Sequence, residues 1–341
     1  MSKNVVGLDI GNQSLKVAYR KRKVGIVTGI FKLPENYVKN GRIPVLKTMA
    51  DSIKKLRKEY RLPRSAVYAL SLPESAVICR RMTLPYMSRE QLELNLPYEF
   101  KDFVSGDGDK YYYDYALERI VRDDEGTPKS LEVFAAAVLK NVVAEYRDLF
   151  RMCGLKLRIL QPREIIWNTL LNRYIGDDEE RREKEFCIVD MGYQTTRVMF
   201  YRGSTFRASR TIELGGFQID EAIAQSRHVD LHLAQAYREA DHEGVLEEEI
   251  CVAAYRRIGL EIRRAINFYR FSEPDHHLED LYFGGGSSNI APLRDEIAEL
   301  CDLSMHSVNE LFPANVTGSE AHACAVAVGL SLCGKEVLEN V

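Results

Sequence analysis

Two short segments carry the strongest chemical signal in this sequence. Asp9-Ile10-Gly11 closes the apolar run that begins at Val5, and Asp190-Met191-Gly192 closes the one that begins at Phe186. Each places a carboxylate at the end of a strand pattern and a glycine at the start of a turn. Such turns line up backbone N–H groups, and these nests attract anions such as phosphate. A carboxylate beside a phosphate holds Mg²⁺ through water, because Mg²⁺ gives up its hydration shell reluctantly. Either segment alone is an ordinary hairpin. A matched pair, in equivalent places of two halves of the chain, points to one site shared by both, with Asp9 and Asp190 as the expected metal residues.

Two glycine clusters extend this site. Gly284-Gly285-Gly286 follows the strand-like Leu281-Tyr282-Phe283, and three glycines let backbone approach a planar ring or a sugar closely. Gly215-Gly216 precedes a helix pattern. It either presents N–H groups to a phosphate at a helix start or marks the turn, and both readings stay open.

The elements that must position these residues follow from the apolar periodicity. Val5–Ile10, Leu15–Tyr19 and Val24–Leu33 read as a three-strand meander, with Gly11-Asn12-Gln13-Ser14 as its first turn. Leu46, Met49, Ile53, Leu56 and Tyr60 fall at helical spacing, and Val67–Leu72 reads as a strand. From Pro73 to Leu139 the texture changes: an arginine-bearing strand, then a helix with a capping box at Ser88 and Gln91 that Pro97 should kink or end, then two more strands. The charged run Asp177–Glu185 is the clearest boundary. After it strand, Asp-x-Gly, strand, turn and strand recur in the opening order, an internal repeat of supersecondary structure. The remainder is mainly helical, with Leu246–Phe271 and the small-residue stretch Ala321–Leu332 as helices.

With 341 residues, 45% apolar and 28% charged, the chain is long enough for two ordinary domains with buried cores, and its net charge of −3 gives no electrostatic reason to expect nucleic acid. The seven cysteines form no C-x-x-C pair, which argues for a reducing compartment and against a zinc site. Lys3 runs at once into a strand pattern containing Asp9, so no leader is read there. The apolar stretch Cys324–Leu332 is far short of the roughly 20 residues of a spanning helix. Membrane attachment is therefore expected only through a partner.

These motifs resemble the actin-like ATPase superfamily and, within it, the PilM family of type IV pilus assembly, with FtsA as a more distant relation. The resemblance rests on VVGLDIGNQSLKVAY, RRMTLPYMSREQLELNLPYEF, FCIVDMGYQTTRVMFYRG, GLEIRRAINFYRF and LYFGGGSSNIAPLRDEI. It implies an α/β fold of the actin-like (ribonuclease H-like) two-lobed kind with an inserted PilM/FtsA-type subdomain. The first lobe would be residues 1–176, with the insertion at about 75–140. The second would be 177–341, with a helical subdomain at about 220–280 and a C-terminal helix at about 319–334 packing back on the first lobe.

Carried over position by position, the resemblance implies ATP with Mg²⁺ as cofactor. Asp9, Gly11, Asn12, Gln13, Ser14 and Lys16 would form the first phosphate loop, and Asp190, Gly192, Thr195 and Thr196 the second. Gly215 and Gly216 would support the nucleotide, Glu261 and Arg264 would border the adenosine, and Gly284–Gly286 would form the adenosine loop. From the residues alone, Glu261 and Arg264 read as an exposed i,i+3 ion pair. The chain departs from the family at Tyr193 and Gln194, where small residues are usual, and at Arg197 and Arg163, where acids are usual. Gln161 and Glu164 are then the candidates to position an attacking water, and hydrolysis is expected to be slow or absent.

The implied role is a cytoplasmic ATP-binding scaffold of pilus assembly at the inner face of the membrane. Its partner would be the cytoplasmic N-terminal segment of a PilN-like membrane protein, beside other inner-membrane platform proteins. An FtsA-like filament protein and a small-molecule kinase of the same superfamily are the alternatives. The tail after Leu332 is too short and acidic for a membrane-anchoring helix of the first, and no substrate-side acid for the second is evident.

Overall fold

The computed structural model describes residues 5–39, 41–273 and 275–333. Lys3 and residues 334–341, on which the readings of leader and anchor partly rest, lie outside the described residues.

The chain opens with the expected meander, β1 (Val5–Ile10), β2 (Ser14–Lys21) and β3 (Gly25–Lys32). Helix α1 (Leu46–Glu59) buries Met49, Ala50, Ile53 and Leu56 and leads to β4 (Val67–Ser71). An insertion follows: β5 (Val77–Pro85), α2 (Arg89–Glu99), β6 (Tyr111–Arg122) and β7 (Pro128–Leu139). Helix α3 (Lys140–Cys153), β8 (Lys156–Gln161) and α4 (Arg163–Ile175) complete the first half.

The short α5 (Glu179–Glu183) sits in the charged run. The meander then recurs as β9 (Glu185–Met191), β10 (Thr196–Arg202) and β11 (Thr205–Ile212). Helices α6 (Gly216–Arg227), α7 (Leu231–Ala240) and α8 (Glu249–Ser272) follow. The chain then runs through β12 (Asp280–Gly284), α9 (Ala291–Cys301), β13 (Ser304–Ser307), β14 (Val316–Thr317) and α10 (Ala325–Ser331).

The repeat read from the sequence is a repeat of topology. One sheet has the order β14-β3-β2-β1-β4-β8 and the other β11-β10-β9-β12-β13. In both, an antiparallel meander continues into two parallel strands on the side of its first strand. Each half has its own core: Val6, Leu8, Met49, Ile53 and Phe150 in the first, Val189, Ile219, Tyr255, Ile262 and Leu293 in the second. A third cluster joins them, with Trp167, Leu170 and Leu171 of α4 and Ala327 and Val328 of α10 packed among Ile188, Met199 and Tyr282 of the second sheet. Helix α4 is therefore fixed along its length by both halves, and with it the side chains at its N-terminus.

The insertion is a separate three-stranded sheet, β5-β7-β6. One face packs on α2 through Leu92, Leu96 and Phe100. From β7, Phe134 meets Phe206 of the second lobe edge-on at 5.5 Å between ring centroids. The capping box at Ser88 and Gln91 is formed. Pro97 does not stop α2 at the residue before it: the helix runs two residues further, because a proline so near the C-terminus removes only one late backbone bond. Two other helices begin later than periodicity suggests: a 3₁₀ segment kinked at Glu243 and Gly244 (His242–Glu247) leads into α8, and a short 3₁₀ helix (Ala321–Cys324) into α10.

Candidate functional site

The two Asp-x-Gly hairpins have the same internal geometry. Gly11 N–H donates to the Ser14 carbonyl at 2.9 Å, and Gly192 N–H to the Thr195 carbonyl at 2.9 Å. Across the strands Asp9 stands opposite Lys16, and Asp190 opposite Arg197. The common pattern is Asp-x-Gly-x-x-Ser/Thr-x-Lys/Arg, a signal in the sequence that the pairing of aspartates alone does not exploit. The hairpins face each other across a cleft of about 1350 Å³. Asp9, Gly11, Asn12, Gln13, Ser14, Lys16, Asp190, Gly192, Thr195 and Gly286 all line it.

Between the aspartates lies a guanidinium. Arg163, at the first position of α4, donates through Nη1 to Asp190 Oδ2 at 2.9 Å and through Nη2 to Asp9 Oδ1 at 3.0 Å. Ser71 Oγ donates to the same Asp9 oxygen at 2.6 Å. Burial pushes the Asp9 carboxyl up, but Arg163, Lys16 and the Ser71 hydroxyl outweigh it and hold the group below its ordinary range. Burial likewise opposes the charge on Arg163, and the two aspartates more than restore it.

The mouth of the cleft is tied across the lobes by residues whose partners lie far away in sequence. The Asn12 amide donates to Gln194, Gln13 to Gln235 at 3.3 Å, and Lys32 to Glu239 at 2.7 Å. Glu74 receives the Thr211 hydroxyl and lies 3.3 Å from Arg197. Tyr193 turns inward, edge-on to Phe217 at 5.8 Å. Burial, then the neighbouring Asp220 carboxylate, pushes its hydroxyl well above the ordinary range.

A model of the type IV pilus assembly protein PilM family matches residues 7–333. The chain belongs to the PilM family. No curated protein matches the sequence. Among solved structures, a chain of a PilM–PilN type IV pilus biogenesis complex is 23% identical, with a TM-score of 0.79 over 96% of this chain and 98% of that one. MreB 5 of Spiroplasma citri bound to AMPPNP is 10% identical, with a TM-score of 0.55 over 99% and 98%. An archaeal actin homolog is 16% identical, with a TM-score of 0.51 over 99% and 100%. The fold is thus actin-like, with two lobes around a cleft.

Not every residue expected at the site of this PilM-family chain reaches the cleft. Thr196 is fully buried and its hydroxyl bonds the Leu214 carbonyl at 2.8 Å. Gly215 and Gly216 do not offer N–H groups to a ligand. Gly216 and Phe217 N–H bond the Gly192 and Tyr193 carbonyls, and Gly215 N–H bonds the Gln218 side chain. The pair braces the second loop, and a Cβ on Gly215 would lie 2.6–2.7 Å from those two carbonyl oxygens. Gly284 and Gly285 pack against Val308 and the Met191 backbone, whereas a Cβ on Gly286 would meet only Lys16 Nζ, at 3.8 Å. Only Gly286 of the three lines the cleft. Glu261 and Arg264 bond each other on α8 and are not among the cleft-lining residues.

Both candidates for positioning water also point elsewhere. The Gln161 amide oxygen is engaged by the Cys333 thiol at 3.2 Å. Glu164 is buried and accepts from Arg197 at 2.7 Å. Arg197, which stands where relatives carry an acid, lines the cleft itself and holds the Glu164 carboxylate behind it, out of the cleft lining. The Mg²⁺ expectation meets a similar obstacle. The carboxylates assigned to hold the ion's water shell both bond Arg163. The residues in this arrangement fit a guanidinium, not a hydrated Mg²⁺ ion.

Proposed function

We propose that this chain is a nucleotide-binding scaffold of type IV pilus assembly, and that it recruits the cytoplasmic N-terminal segment of a PilN-like inner-membrane protein. The observation that carries the nucleotide half is the pair of matched hairpins, with Lys16 and Gly286, around one cleft. Hairpin turns, a flexible ammonium and the bare backbone at Gly286 suit phosphates and a sugar. That an MreB of the same fold is bound to AMPPNP supports the choice of ATP. Gln161 and Glu164, the two candidates to position water, are held by Cys333 and Arg197 and do not line the cleft, which supports slow or absent turnover. ATP here is a structural and regulatory ligand that holds the lobes together.

The partner half is supported by family membership and by the PilM–PilN complex among the similar structures. The docking surface would be built by the first lobe and the inserted subdomain. No helix among the described residues is long and apolar enough to cross a membrane, and the proposed place at the inner face of the membrane, beside other platform proteins, comes through this partner. The test is retention of the chain on an immobilised N-terminal peptide of a PilN-like protein, with and without ATP. Saturable retention is expected. No retention at about 50 micromolar peptide, weaker than the affinities specific interfaces reach, would remove the partner assignment.

A further inference from the structure

Arg163 occupies the place where two cleft carboxylates would otherwise hold a cation. We propose, resting on the nucleotide reading above, that Arg163 replaces the divalent metal, so that this chain binds ATP without Mg²⁺ and its terminal phosphates sit on Arg163 and Lys16.

Four observations converge on this. The first is geometric: one guanidinium bonds Asp9 at 3.0 Å and Asp190 at 2.9 Å, one carboxylate from each lobe. A divalent ion serving both carboxylates would have to displace it, although Mg²⁺ requires near-octahedral oxygen ligands and an arginine does not give up its proton.

The second concerns charge. Asp9 and Asp190 alone would repel a triphosphate. With Arg163 between them and Lys16 opposite Asp9, two cations balance two carboxylates before ligand arrives. The third concerns unused donors. A guanidinium has five N–H groups, and the hydrogen bonds among the described residues engage Nη1 and Nη2 once each. The rest of this cleft-lining side chain is available to phosphate oxygens, for which its planar fork is well suited. The fourth is local. A basic residue in the first turn of a helix opposes the helix dipole, and α4 nonetheless begins with one. The two carboxylates compensate that cost.

The metal-free site also agrees with Gln161 and Glu164 lying outside the cleft lining. A cleft that closes on the phosphates through protein cations alone holds ATP without polarising it for attack by water.

The test is the affinity for ATP, measured by calorimetry in EDTA and in Mg²⁺, for the wild type, Arg163→Ala and Arg163→Lys. Wild-type dissociation constants in the two buffers are expected to agree within about threefold, less than 1 kcal/mol. Arg163→Ala should lose about tenfold or more in EDTA and recover with Mg²⁺, because the freed carboxylates then accept the metal. Arg163→Lys keeps the charge but replaces the two-nitrogen fork by one ammonium with fewer donors left for phosphate, and it should fall between the wild type and Arg163→Ala. This variant and the wild-type comparison decide the matter if the alanine protein does not fold. Wild-type binding that needs Mg²⁺ overturns the metal-free assignment and leaves the nucleotide reading standing. Tighter binding by Arg163→Ala in both buffers also overturns it, since Arg163 would then be a latch that ATP must break. No wild-type binding in either buffer overturns both readings.

Discussion

Arg163 and Asp190 bond at 2.9 Å from the start of α4 in the first lobe to the end of β9 in the second. The same guanidinium holds Asp9 at the end of β1, so the two strands that open the two repeats are joined through one side chain. The carboxylates differ in exposure: the side chain of Asp9 is 3% accessible and that of Asp190 15%. Removing one partner of a buried pair leaves the other charge uncompensated, and the cost rises with burial. Asp9→Asn should therefore destabilise the protein by about 3 kcal/mol and Asp190→Asn by about 1 kcal/mol, read from urea midpoints. Equal losses would show that the Ser71 hydroxyl and the burial of Asp9 contribute nothing extra.

The lowered pKa of Asp9 gives the acid behaviour a definite sign. Its folded value lies below the ordinary 3.8, so the folded state favours the ionised form. That stabilisation is complete above the unfolded value and is lost as pH falls through the folded value. The stability gap between wild type and Asp9→Asn should stay flat from neutral pH to about pH 5 and shrink below about pH 4. Melting temperatures of both proteins across this range check it, and a gap that widens on acidification would reverse the assignment.

The sequence carries the two-lobed plan because each lobe announces itself locally, through a meander, an Asp-x-Gly turn and helices of regular period. The cleft loops are legible for the same reason: Asp9 to Lys16 and Asp190 to Arg197 are single hairpins whose geometry depends on neighbours in the chain. What stays hidden is every choice made across the fold. Arg163 finds partners 154 and 27 residues away, and Gln161 is held by Cys333, 172 residues away. Glu164 faces Arg197 because β10 passes under α4, which no local pattern reports. The exposed pairing of Glu261 with Arg264 is the converse case, where their i,i+3 spacing alone describes what the structure has.

The Glu164–Arg197 pair gives a stability prediction independent of ligand. Both residues are buried, at 4% and 9% accessibility, and the bond is 2.7 Å. Glu164→Leu leaves the guanidinium with only the half-exposed Glu74, 3.3 Å away, and should cost about 3 kcal/mol. The double substitution Glu164→Leu with Arg197→Met removes both charges and should recover most of that loss. A double-mutant cycle in urea reads the coupling, and additive losses would mean that the two side chains act separately.

Gly285 and Gly286 offer a sharper separation of fold from ligand. Gly285 has φ +99°, and a Cβ there would lie 2.3 Å from the Met191 carbonyl oxygen. Gly285→Ala thus combines left-handed backbone strain with a backbone clash and should cost about 2–4 kcal/mol. Gly286 has no such constraint: its nearest potential contact is Lys16 Nζ at 3.8 Å, on the cleft side. Gly286→Ala should leave stability within about 0.5 kcal/mol of wild type while placing a methyl group where the proposed nucleotide would approach the backbone. Its ATP affinity is therefore expected to fall about tenfold, or 1.4 kcal/mol. Calorimetric titration beside a melting curve reads both quantities on one sample. If Gly286→Ala binds ATP as the wild type does, the ligand does not lie against this loop, and the glycines serve only to bring it close to Met191.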